Sequence, residues 1–141
     1  MAIYALSYLF TLGFFVVFDS IWLTSTTQSL YRPVLGNILV EQLRVAPAIG
    51  FYLLYPLGIA IFAVAPSLKA DAILPAIAYG ALFGLFAYAT YDLTNFATLR
   101  HWTAHITMID IAWGAFATGA SATLAYLATK TIGGHFGLTL H

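Results

Sequence analysis

The chain has 141 residues, 62% of them hydrophobic and 7% charged, with five Lys and Arg against five Asp and Glu and no cysteine. Its mean hydropathy is +0.91, whereas a soluble domain carries about 25% charged residues, so composition alone places it in a lipid bilayer. The balanced charge leaves no basic surface for nucleic acid, and the missing cysteines exclude disulfides, thiolate metal sites and cysteine nucleophiles.

Four apolar windows of roughly 20 residues are each long enough to cross about 30 Å of hydrocarbon as a helix. The first, 3–23, lacks a basic leader and outlasts the apolar run of a secretory signal, so it reads as a retained helix. It ends with Asp19 and Trp22. Residues 24–44 begin polar and then place Pro33, Val34, Leu35, Ile38, Leu39 and Leu43 opposite Asn37, Glu41 and Arg44 at 100° per residue. That pattern predicts a short amphipathic helix lying in the interface. The second window, 45–65, contains Pro56, which predicts a kink.

A tight turn at 66–71 leads to the third helix, 72–95, where Gly80, Gly84, Tyr88 and Asp92 follow one another in steps of four. The G-x-x-x-G start of this stripe lets a neighbouring backbone approach, and its end carries polar chemistry. The loop 96–105 holds Arg100, His101, Trp102 and His105. The fourth helix, 106–128, carries Asp110, Trp113 and Gly114, followed by the small residues Ala117, Thr118 and Ser121. The expected fold is all-α: one domain over 1–132, an integral membrane four-helix bundle with an interfacial amphipathic helix after its first span. Residues 133–141 read as a frayed, Gly-rich tail.

A carboxylate inside a membrane helix costs about 2.5–3.5 kcal/mol on insertion scales, which makes Asp19, Asp92 and Asp110 the candidate site. Alternating traversal puts all three at the same side of the membrane. Helical spacing gives each a neighbour: Trp22 for Asp19, Tyr88 and Asn95 for Asp92, Trp113 and Gly114 for Asp110. Gly80, Gly84 and Gly114 are the expected packing positions. A carboxyl that keeps its proton in such a place acts as general acid or proton carrier. The bland alternative is interhelical glue, with Arg32, Arg44, Arg100, a Trp N–H or Asn95 satisfying the carboxylates. His101 and His105 are four apart but lack the intervening Glu of a metalloprotease frame, so no metal site and no cofactor is expected.

The stretch from Gly80 through Tyr88, Tyr91, Asp92, Thr94 and Asn95 to Leu99, with its Y-D-L-T-N run, resembles the bacterial small membrane proteins of domain-of-unknown-function family 2177. Asp19, Trp22 and Leu23, Tyr31, Leu35 and Gly36, the 51–55 segment, Trp102, and Asp110, Trp113 and Gly114 resemble family positions as well, whereas His101 and His105 do not. The resemblance implies a multi-pass protein, placed in the bacterial inner membrane, and no established activity.

Three functions fit these residues. One is binding or transport of a small amphipathic molecule or a proton, with Asp92 as carrier; four helices enclose little volume, so this requires a homo-oligomer. The second is an enzyme using a protonated Asp on a lipid or isoprenoid, walled by Trp22, Trp113 and Tyr88. The third is a non-catalytic assembly partner. Arg32, Arg44 and Arg100 on the aspartate side, against Lys69, Lys130 and the terminal amine, predict a cytoplasmic aspartate side.

Overall fold

The computed structural model describes residues 1–36 and 38–138. Asn37 of the expected amphipathic arc, and Thr139, Leu140 and His141 of the expected tail, lie outside the described residues. Among the described residues the fold is entirely helical, with four spans long and apolar enough to cross a membrane: Ala2–Leu35, Val45–Ala70, Leu74–Thr98 and Ala104–His135. The first comprises helix α1 (Ala2–Thr26), a π-helical turn (Thr27–Tyr31) and the four-residue α2 (Arg32–Leu35). The second comprises α3 (Val45–Ile59), a second π-helical turn (Ala60–Val64) and α4 (Ala65–Ala70). The third and fourth are α5 (Leu74–Thr98) and α6 (Ala104–His135).

The first span outruns its expected end at residue 23 because its hydroxyls bond back onto the helix instead of ending it. Thr24 and Ser25 donate to Ser20 and Ile21 carbonyls at 2.8 and 2.7 Å, and Thr26 donates to that of Trp22 at 2.7 Å. Of the amphipathic helix expected in the connection only Arg32–Leu35 is helical, as α2, which continues the first span beyond the π-helical turn with Pro33 in its first turn. Residues 38–44 form no helix and are exposed. At the other end of the chain, α6 runs on to His135, past the expected end at residue 128. Thr129 and Gly133 prolong its buried face, and Gly133 packs beside Ile3.

The interior is built by rows of residues four apart, the spacing that stacks side chains on one helix face. On α1 the buried row is Ile3, Ser7, Thr11, Phe15 and Asp19. On α5 it is Ala76, Gly80, Gly84 and Asp92, and on α6 it includes Ile106, Asp110, Gly114, Thr118, Ala122 and Tyr126. Large apolar side chains such as Leu9, Val17, Leu54, Phe86 and Phe116 point outward. Small and polar residues inside with large apolar ones outside is the arrangement expected where lipid is the solvent and packing, not water exclusion, draws helices together.

The α5–α6 seam is the closest approach. A Cβ on Gly84 would strike the Gly114 carbonyl and Thr118, one on Gly114 would strike the Tyr88 ring, and one on Gly80 would meet Ala122 and Gly119. Helix α3 continues through the buried Pro56, and the ladder is disturbed one turn later, at the π-helical turn. The Tyr8 hydroxyl donates to the Leu53 carbonyl, beside the place where Pro56 supplies no N–H, at 3.1 Å.

The turn between α4 and α5 closes the face remote from the aspartates. Ser67 Oγ accepts the Ala76 N–H at 2.6 Å, and Asp71 adopts the left-handed conformation (φ 48°). Lys130 of α6 pairs with Asp71 at 2.6 Å; both side chains are more than half exposed, so solvent screens the pair and it adds little to stability.

Candidate functional site

At 1.5 Å per residue, Asp19 lies about 26 Å along α1 from Ala2, Asp92 about 27 Å along α5 from Leu74, and Asp110 about 9 Å into α6 from Ala104. Antiparallel traversal therefore brings the three to one end of the bundle, as their spacing predicts. All three are buried: Asp19 and Asp110 are 6% and 4% exposed and Asp92 is fully enclosed.

Their partners are tyrosines, not arginines. The Tyr52 hydroxyl, from α3, donates to Asp19 Oδ2 at 2.5 Å, and the Tyr88 hydroxyl is its other polar neighbour. The Tyr31 hydroxyl, from the π-helical turn, donates to Asp110 Oδ1 and itself accepts the Trp22 indole N–H at 3.0 Å. A directed chain thus runs from Trp22 through Tyr31 to Asp110, joining α1, the turn and α6. Among the described residues, no arginine forms an ion pair with these carboxylates.

Asp92 differs from the other two. Neither of its oxygens accepts from a hydroxyl, amide or indole donor, and its polar neighbour is the Asp110 carboxyl, within hydrogen-bonding reach, a contact that needs a proton on one of the two acids. Asn95, expected beside it at helical spacing, is half-buried with Tyr91 as its polar neighbour. Tyr88, one turn before Asp92 on the same stripe, has Asp19 as a polar neighbour and packs against Gly114. The stripe thus serves two carboxylates on two helices.

Asp19 and Trp22 on α1 and Asp110 and Trp113 on α6 share one D-x-x-W spacing, and the two tryptophans meet. Trp22 and Trp113 stack with ring centroids 4.5 Å apart and planes 6° from parallel, closing the space between α1 and α6 beside the carboxyls. Trp113 Nε1 is buried without a partner, a second polar group of the cluster left open after Asp92. Below the cluster, Phe15 and Tyr55 pack at 4.9 Å, and Tyr55 shares a 2.9 Å hydrogen bond with Thr118. At the rim, Trp102 is buried and donates to Thr107 Oγ1 at 3.0 Å, while Thr103 caps α6 through the Ile106 N–H.

Spacing on single helices identifies the aspartates and both tryptophans as site candidates, but not Tyr31 and Tyr52. Each acts on a carboxylate of another span, a relation that no periodicity expresses. The tyrosine-rich 51–55 segment and the isolated Tyr31 were the available signals. His101 lies in the exposed loop and His105 on the exposed side of the first turn of α6, and among the described residues no three acidic or histidine groups converge as a metal-binding set.

A lipid-facing exterior, four spans and an enclosed polar cluster define a small multi-pass helical membrane protein. Residues 4–127 match the family described as "Predicted membrane protein (DUF2177)", and the chain belongs to that family. No curated protein and no solved structure matches it.

Proposed function

We propose that the chain binds or transports a small amphipathic molecule or a proton at the carboxyl cluster, with Asp92 as the group that takes the proton or the polar end of the ligand. The observation that carries this reading is Asp92 itself, fully enclosed with no hydroxyl, amide or indole donor on either oxygen. Glue would be satisfied, because a buried polar group without a partner costs about 1–3 kcal/mol and more when charged. An acceptor kept open beside a second carboxyl is suited to a proton shared between Asp92 and Asp110, or to a hydroxyl or ammonium of a ligand.

Tyr52 and Tyr31 hold the flanking carboxyls at fixed positions, and the Trp22–Trp113 stack keeps one wall apolar. Helix α1 and helix α6, which supply that wall, would part to admit a ligand. A single bundle encloses little space around the cluster, so transport on this reading occurs in a homo-oligomer, in the bacterial inner membrane.

The test is proton flux into vesicles driven by an imposed membrane potential, comparing wild type with Asp92→Asn. The variant is expected to keep its helix content and melting temperature and to lose at least about tenfold in flux, since the amide neither carries nor releases the proton. Undiminished flux in a folded variant contradicts the role given to Asp92.

A further inference from the structure

Beyond the carboxyl cluster, one cavity lies at the same end of the bundle. It is a half-open recess of about 450 Å³, lined by Arg32, Val34 and Leu35 from α2 and by Leu99, Arg100 and His101 from the α5–α6 loop. It forms because α2 is carried past the end of α1 and comes over the α5–α6 loop. Arg32 and Arg100 reach it from these two sides, thirty-odd ångströms of helix away from Lys69 and Lys130 by the rise of about 1.5 Å per residue.

We infer that this cavity is a binding site for the phosphate headgroup of an anionic lipid. Three observations carry it. Two guanidinium-bearing residues and a histidine line one half-open recess, and among the described residues neither arginine has a carboxylate partner. Glu41, the acid nearest in sequence, does not line the cavity. The remaining wall is apolar, with Val34, Leu35, Ile38 and Leu99, which suits the glycerol and first methylenes of a lipid and not a free, fully hydrated anion. The site also sits just past the end of α5 at Thr98, where a helix long enough to span the hydrocarbon would emerge among headgroups.

Guanidinium forks bind phosphate oxygens in pairs, so two of them satisfy a doubly charged phosphate monoester better than a zwitterionic headgroup. The site is separate from the carboxyl cluster and does not require that Asp92 carry protons. Its proximity has one structural consequence: Tyr31, which holds Asp110, directly precedes Arg32, so occupancy fixes the segment that completes the cluster.

The experiment is calorimetric titration of the detergent-solubilised protein with dihexanoyl phosphatidate, with dihexanoyl phosphatidylcholine and inorganic phosphate as comparisons. Saturable binding of one phosphatidate per chain is expected, with phosphatidylcholine at least about tenfold weaker. Arg32→Gln and Arg100→Gln are each expected to weaken phosphatidate at least about tenfold, corresponding to 1.4 kcal/mol or more. Both side chains are exposed, so these variants fold, which the melting curve checks; Arg100→Lys is expected to restore part of the affinity. Asp92→Asn is expected to bind phosphatidate as wild type does, which separates this site from the proposed carrier. Equal binding of phosphatidylcholine, or unchanged affinity in both arginine variants, overturns the inference. Inorganic phosphate that binds as tightly and displaces phosphatidate overturns the lipid assignment and leaves an anion site.

Discussion

Tyr31 and Tyr52 each complete a carboxylate that belongs to a different span, so the cluster depends on hydroxyls as much as on acids. Tyr31→Phe removes the donor to Asp110 and the acceptor of the Trp22 N–H together. It is expected to destabilise the protein by about 1–3 kcal/mol, because two buried groups lose partners while the ring is kept. Thermal unfolding in detergent measures this, and an unchanged melting temperature refutes the chain from Trp22 to Asp110. At this scale the sequence exposed the acids, because a carboxylate in an apolar window is conspicuous, and the two tryptophans, because they lie three residues from an acid. That the tryptophans stack on each other depends on how α1 and α6 face one another, which neither segment encodes alone.

At the level of elements, α5 and α6 are held by glycines placed where a methyl group has no room. Gly84→Ala is expected to cost about 1–3 kcal/mol, since its Cβ meets the Gly114 carbonyl, which belongs to backbone and cannot rotate away. Gly13→Ala, on the exposed side of α1 with nothing within 4 Å of the added carbon, is expected to be neutral or to gain up to about 1 kcal/mol. Comparing the two melting temperatures tests the seam; equal effects contradict it.

The G-x-x-x-G spacing made this seam legible in advance. The π-helical turn at Thr27–Tyr31 was not legible, as no Gly or Pro marks it and the polar run resembles a helix end. Its effect is one of phase. Twelve residues of regular α-helix leave Tyr31 about 120° from Asp19 around the axis, and a wider turn of five residues reduces that difference toward the same face. Deleting Gln28 is therefore expected to swing Tyr31 off Asp110 and to destabilise the protein as much as Tyr31→Phe does, again read from thermal unfolding.

For the whole molecule, four spans, their order and the shared depth of the aspartates followed from hydropathy and from counting traversals, because lipid permits few other solutions. The ends of the spans did not follow. Hydroxyl back-bonding carries α1 past its apolar limit, and the small residues Thr129 and Gly133 carry α6 along Ile3. Orientation rests on Arg32, Arg44 and Arg100 at the aspartate side, and the expected topology has that side cytoplasmic and both termini outside. A reporter fused after His141 checks it; a cytoplasmic C-terminus reverses the assignment.

The central claim is that Asp92 handles a ligand or a proton instead of fixing the bundle. It is tested most directly by native mass spectrometry of protein released from its own membrane, as wild type and as Asp92→Asn. The account predicts an assembly of more than one chain in both, with an amphipathic molecule, other than an anionic lipid held at Arg32 and Arg100, retained by wild type and absent from Asp92→Asn. An empty monomer of equal stability in both would contradict it and leave the three aspartates as a structural knot.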